Sequence, residues 1–224
     1  MAHDAIAAAV LLDALGTLVE LERPWPYLLV ELEARGVVVS EDDARAAMQA
    51  EMAYYRAHHD EASDWAGLVD LRRRCAAVVQ EHLHTALPLD DVRDAMLAAI
   101  RFRPYPEVSG VLARLRADGV RLAVVSNWDV SLHDVLERTA LRRLVDAVVI
   151  SAELGVGKPD PAIFRAALER LGVQPERAMH VGDSLEADVA GARAAGLEAV
   201  LVVRNGGVTP DGVRVVSSLA ELVT

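Results

Sequence analysis

The chain has a single lysine. Of its 23 basic residues 22 are arginine, and the exception is Lys158. A composition that avoids lysine elsewhere marks the one place where a compact ammonium on a flexible stem stands instead of a planar guanidinium. Cysteine is as scarce. Cys75 stands alone, which excludes a disulfide framework within the chain. Alanine, valine and leucine to either side place that thiol in the interior, inert. Positive charge is short overall, and a formal net charge of −11 argues against nucleic acid or an anionic membrane surface as partner. The one tight basic cluster, Arg72-Arg73-Arg74, reads as a solvated helix face. Long apolar runs are missing too. The stretch Ala5–Leu12 is short, follows no basic segment and ends at Asp13, so it reads neither as a signal peptide nor as a membrane span. The expected location is cytoplasmic.

What is present is core-forming material. At 224 residues and 53% hydrophobic, the chain fits one large domain or a core with a smaller insert. Residues 7–12 read as a short buried parallel strand. Between Trp25 and Arg101 the pattern turns helical: Leu28, Leu29, Leu32 and Val37 keep a helical spacing, and Ser40 followed by acids marks a helix start. Residues 62–84 and 90–101 read as further helices. Beyond Pro104 and Pro106 the chain alternates: strands at 121–126, 147–150, 178–182 and 198–203, with helices at 107–118, 131–139, 162–171 and 186–195. Such alternation predicts an α/β fold, a Rossmann-like parallel sheet with helices on both faces. The expected organisation is a discontinuous core, residues 1–20 and 104–224, with an all-helical insert at 21–103.

The chemistry-bearing residues collect after the strands, where the crevice of an open α/β sheet lies. Asp13 follows the first strand, Ser126-Asn127 end another, Lys158 follows a third, and Asp183 and Asp188 follow a fourth. Two carboxylates at neighbouring strand ends repel unless a cation sits between them. Oxygen ligands without nearby His or Cys select Mg²⁺ over zinc. Ser126, Asn127 and Lys158 supply donors and one positive charge for an anionic group such as phosphate. Asp13 is placed to act as a nucleophile, and Thr17 brings a hydroxyl into the turn after it. Taken singly, each of these has a bland reading as a helix cap, turn former or solvated side chain. Their joint order, each near a strand end, carries more.

In that order the chain resembles the haloacid dehalogenase-like hydrolase superfamily along essentially its whole length. Asp13-Ala-Leu-Gly-Thr-Leu18, Val125-Ser126-Asn127, Lys158-Pro159 and Gly182-Asp183 through Asp188 resemble the four family motifs in turn. The helical insert resembles the family's helical cap, which closes over the active site. The resemblance implies that Asp13 attacks phosphorus and becomes an aspartyl-phosphate. It implies Mg²⁺ on Asp13, Asp183, Asp188 and the backbone carbonyl of Leu15, with Ser126 and Lys158 holding the phosphoryl group. One position departs: phosphatases of the family usually carry an acid/base aspartate two residues after the nucleophile, where this chain has Leu15.

Three readings follow. The first is a Mg²⁺-dependent hydrolase of a small phosphorylated metabolite, slow or with an acid from the insert, where His58, His59, Tyr54, Tyr55 and Asp60 are candidates. The second is a 2-haloacid dehalogenase-type hydrolase, which needs no leaving-group acid and no metal. The third is a catalytically impaired phosphate- and Mg²⁺-binding regulatory protein. In every case the partner is a small anionic molecule, with no nucleic acid and no membrane, and the chain is a monomer or a homodimer.

Overall fold

The computed structural model describes residues 7–204, 206 and 211–223. Their contacts form two compact units. One comprises the described residues up to 20, 104–128 and from 132 onward; the other comprises 21–103 together with 129–131.

The first unit is built on six parallel strands: β1 (Ala9–Leu12), β4 (Arg121–Ser126), β5 (Ala147–Ile150), β6 (Ala178–Gly182), β7 (Glu198–Val202) and β8 (Arg214–Val216). Their spatial order is β5-β4-β1-β6-β7-β8. All four residues of β1 are buried, as expected of a central parallel strand covered on both faces. Leu12 pairs with Val124 on one side and Val181 on the other. Strand order runs away from β1 in one direction through β4 and in the other through β6. The ends of β1 and β6 therefore flank the switch point where ligands bind in such sheets.

α6 (Leu132–Arg138) and α7 (Ser151–Leu154) follow β4 and β5, while α8 (Pro161–Leu171) packs across β1, β4 and β5, its Ile163, Phe164 and Leu168 joining Leu11, Ala123 and Val125 in one core cluster. Strand alternation sends Leu122 and Val124 to the opposite face, and α5 (Val108–Ala117) also packs on β4. Asp160 caps α8 by accepting from the Ala162 amide at 2.8 Å. Residues 186–195, expected as one helix, form a π-helical stretch over Leu185–Ala190 followed by the short α9 (Gly191–Ala194). Three strands escaped the sequence pattern: β2 (Val19–Leu21), β3 (Phe102–Pro104) and β8. Each has three residues, too few for a period-2 signal. β2 and β3 form their own two-stranded sheet.

The second unit holds α1 (Pro24–Glu33), α2 (Glu41–His58), α3 (Trp65–Leu83) and α4 (Leu89–Ala99). Leu28, Leu32, Met48, Leu68, Leu71, Cys75, Val79, Val92 and Met96 share one buried cluster. Ser40 caps α2 by accepting from the Asp43 amide, as its sequence predicts. Asp64 caps α3 in the same way through Gly67. Val37 does not continue α1, which ends at Glu33 ahead of a turn through Gly36. Cys75 is buried, and burial pushes its thiol well above the ordinary range. No helix among the described residues is long and apolar enough to cross a membrane.

Candidate active site

β1 delivers Asp13 to the switch point, and its backbone amide is tied to the Val181 carbonyl of β6 at 3.0 Å. The residue is buried. Its Oδ1 accepts two hydrogen bonds, from the Ser126 hydroxyl at 3.0 Å and from Lys158 Nζ at 2.5 Å. Ser126 comes from the end of β4, the neighbour of β1, so the register of the sheet places that donor.

Lys158 is buried and lies between two carboxylates, 2.5 Å from Asp13 Oδ1 and 2.6 Å from Asp188 Oδ1. Burial disfavours its charged form, but Asp13 and Asp188 outweigh that and hold it as an ammonium, with its pKa raised. Asn127 fixes the lysine's backbone: its amide nitrogen donates to the Lys158 carbonyl at 2.8 Å, and its oxygen accepts from the Lys158 amide at 2.7 Å. Asn127 was expected among the phosphate-binding residues. The structure shows its side chain engaged with Lys158 at both ends.

Asp188 is reached through the π-helical turn. There the Val189 amide bonds back to the Ser184 carbonyl five residues earlier, widening the turn and carrying Asp188 inward. It is 1% exposed, so the solvated alternative does not apply. Asp188 accepts from Lys158 and from His180 Nε2 (2.9 Å) on Oδ1, and from the Ser184 amide (2.9 Å) on Oδ2. Burial works against its charge, yet Lys158 and His180 hold its pKa well below the usual carboxylate range. Gly182 permits this approach, because a Cβ there would lie 2.1 Å from Asp188 Cγ.

Asp183 follows β6 beside the turn after β1. The close contact needs Gly16, whose φ is +82° and where a Cβ would lie 2.0 Å from Asp183 Oδ2. Asp183 as a residue is open to solvent, while its carboxylate is partly buried. That partial burial, with Asp13 and Asp188 close by, pushes its pKa up to about 6. Asp13 is raised as well, first by burial and then by Asp188, against the pull of Lys158.

Ligand oxygens of Asp13, Asp183 and Asp188 all lie within 4.8 Å of one another. With all three ionised, their charge exceeds what the single ammonium of Lys158 offsets. The donor set is oxygen only, since His180 has its Nε2 committed to Asp188. Both facts fit a hard divalent cation. Thr17 shares the turn and is fully buried, and its hydroxyl has no hydrogen-bond partner among the described residues. Leu15 bridges to Val19 in the same turn, and its side chain is 41% exposed.

Two residues escaped the sequence reading. His180, the fully buried partner of Asp188, is legible only as a histidine inside an apolar strand. Arg204 follows β7. It donates from Nε to the Gly16 carbonyl at 3.0 Å and from Nη2 to the Thr17 carbonyl at 2.5 Å. Its Nη1 pairs with Glu107 at 2.7 Å, and its guanidinium stacks 3.4 Å from the Tyr105 ring centroid. It thus clamps the turn that carries Leu15, Gly16 and Thr17. Of the helical candidates for a proton donor, His58 and Tyr55 are engaged locally, while His59 Nδ1 is buried and makes no hydrogen bond among the described residues. His58 Nδ1 lies 2.7 Å from the Tyr54 carbonyl and its ring stacks on Tyr54; His59 Nδ1 lies 3.1 Å from Asp60; Tyr55 donates to Asp129 at 2.8 Å.

The six-stranded parallel sheet, with Asp13 at its switch point, is a Rossmann-like α/β fold. Residues 7–196 match the haloacid dehalogenase-like hydrolase family, and the chain belongs to that family. Mouse haloacid dehalogenase-like hydrolase domain-containing protein 3 is 32% identical over 90% of this chain and 84% of its own length. A glyceraldehyde 3-phosphate phosphatase from Methanopyrus kandleri is 45% identical over 46% of this chain. The match covers 44% of that phosphatase, so the chain spans less than half the length of this curated relative. Among solved structures, a HAD phosphatase from Thermococcus onnurineus superposes with a TM-score of 0.66 at 27% identity, covering 96% of this chain and 95% of that one.

Proposed function

We propose that the chain is a Mg²⁺-dependent hydrolase of small phosphorylated metabolites that works through an aspartyl-phosphate on Asp13. The observation that carries this is the buried junction of Asp13, Ser126 and Lys158, with the carboxylates of Asp183 and Asp188 converging on Asp13. The phosphatase activity named for the Methanopyrus relative supports the same reading.

Asp13 is oriented by two donors on Oδ1, which directs its carboxylate for attack on phosphorus. Ser126 and Lys158 bind the transferring phosphoryl oxygens, and Asn127 holds Lys158 in register for that task. Asp188, fixed by His180 and Ser184, keeps the ammonium directed at Asp13. Mg²⁺ would be held by Asp13, Asp183, Asp188 and the Leu15 carbonyl, and supplies neutralisation of phosphoryl charge when bound. The substrate is a small anion, and a cytoplasmic location suits it.

The test is orthophosphate release from a panel of phosphate esters and anhydrides, with and without Mg²⁺, in wild type and Asp13→Asn. Expected is Mg²⁺-dependent release that the substitution abolishes, with phosphate trapped on Asp13 in intact-mass spectra. Metal-independent chloride release from 2-chloropropionate, without phosphate release, would establish the dehalogenase reading instead. Ligand binding without any turnover would establish the regulatory one.

A further inference from the structure

We infer that the substrate's leaving group is one that is stable as an anion: the substrate is an acyl phosphate, or the phosphate ester of an enol or a phenol, and not an ordinary alkyl or sugar phosphate. The inference rests on the aspartyl-phosphate reading and specifies its substrate class.

Proton-bearing groups are few around Asp13 in the sheet unit. The Ser126 hydroxyl already donates to Asp13 Oδ1. Lys158 Nζ is shared between Asp13 and Asp188, at 2.5 and 2.6 Å, and in the proposed reaction it and Ser126 turn to the transferring phosphoryl oxygens rather than to the leaving group. Asp188 accepts three hydrogen bonds and so acts as an acceptor. Asp183 belongs to the oxygen cluster that fits a cation. The Thr17 hydroxyl is sealed inside its turn. At the open side of the same strand ends stand hydrocarbons: Leu15 after β1 is 41% exposed, and Leu185 after β6 is 49% exposed. β1 and β6 are paired neighbours, so these two leucines stand in the segments that follow adjacent strands. Of these five groups, on Ser126, Lys158, Asp188, Asp183 and Thr17, none is placed to protonate a departing oxygen.

In the first step an oxygen of Asp13 bonds to phosphorus and the P–O bond to the leaving group breaks. The electron pair stays on the leaving oxygen, which departs unprotonated. In the second step water attacks the phosphorus of the aspartyl-phosphate and the P–O bond to Asp13 breaks. Orthophosphate leaves, the water proton passes to solvent, and the Asp13 carboxylate is restored. Atoms and charge balance with water as the only co-reactant. An alkoxide, whose conjugate acid has a pKa near that of water at about 15.7, leaves poorly in this way. A phenolate (about 10) or a carboxylate (about 4) leaves far more readily. The exposed leucines suit the hydrocarbon body of an acyl, enol or aryl group.

The experiment measures kcat/KM with Mg²⁺, which reports the first chemical step, for acetyl phosphate, a series of substituted phenyl phosphates and glycerol phosphate. Wild type, Leu15→Asp and Leu15→Asn are compared. Wild type is expected to fall steeply as the leaving-group pKa rises. Leu15→Asp is expected to flatten that dependence, gaining about 10²–10⁴-fold on glycerol phosphate and little on acetyl phosphate. Leu15→Asn, polar but without an acidic proton, is expected to keep the steep dependence. A shallow dependence in wild type would overturn the inference by showing a proton donor from elsewhere, while leaving the phosphatase reading intact. No release from any compound and no phosphate on Asp13 would overturn both. The wild-type slope decides the matter even if Leu15→Asp does not fold.

Discussion

At the residue scale the molecule turns on Lys158. Its ammonium is the shared counter-charge of Asp13 and Asp188, and all three are buried. Removing one member of such a cluster leaves charge without compensation, which is far more damaging than replacing the whole set. Lys158→Met is therefore expected to destabilise the metal-free protein by about 3–5 kcal/mol, read as a shift in the urea midpoint. Part of that loss should return on adding Mg²⁺, which replaces the missing positive charge. Lys158→Arg keeps the charge but presents a wide planar fork where the two carboxylates converge on one nitrogen. It should fold better than Lys158→Met and still lose phosphate release. Equal stability of wild type and Lys158→Met would mean that the ion pairs contribute nothing to the fold.

At the scale of elements, the turn after β1 is the part most dependent on distant support. Arg204 holds the Gly16 and Thr17 carbonyls while it pairs with Glu107 and stacks on Tyr105. Charge-assisted bonds of this kind contribute about 1.5–3 kcal/mol each. Arg204→Ala is expected to lower stability by about 3 kcal/mol and to reduce kcat more than it raises KM, because the turn positions Asp13's neighbourhood more than it grips substrate. Arg204→Lys should recover little, since one ammonium cannot reach both carbonyls and the carboxylate together. An unchanged kcat in Arg204→Ala would show the clamp to be structural only. The clamp also marks where sequence reading stops. Lys158 stood out because it is unique, and Asp13, Ser126 and Asp183 because each ends a strand-like apolar run. Arg204 is one of 22 arginines, and it acts on a turn 187 residues away, so neither composition nor local spacing exposes it. The α/β alternation was legible because buried apolar strands of four to six residues and capped helices are clear local signals. The three-residue strands carried none, and the π-helical turn that delivers Asp188 looks in sequence like ordinary helix.

For the molecule as a whole, the decisive unused group is Glu51 in the helical unit. It falls in the apolar stripe Ala44, Ala47, Met48, Glu51 of α2, and the structure buries it with them. Burial pushes its carboxyl up from 4.5 to about 7, with the Cys75 thiol as hydrogen-bond partner drawing it back only in part. Tyr55, on the same helix, and Asp129, which accepts the Tyr55 hydroxyl, complete the polar cluster. Because the folded pKa is the higher one, the folded state keeps a proton that the unfolded chain releases. Stability is then greatest below about pH 4.5 as far as this residue is concerned. It declines as pH rises towards 7 and is level above that. At about 1.4 kcal/mol per pH unit, the decline over that window amounts to about 3 kcal/mol. Glu51→Gln carries no charge at any pH, so its stability relative to wild type should climb across the same window and settle about 2–3 kcal/mol higher at pH 8. Comparing the two proteins by urea unfolding at pH 5, 6, 7 and 8 cancels the contributions of Asp13 and Asp183, which also hold raised values and are common to both. A pH-independent difference would mean that Glu51 is ionised and solvated in the folded protein, and that the helical core opens to water at α2.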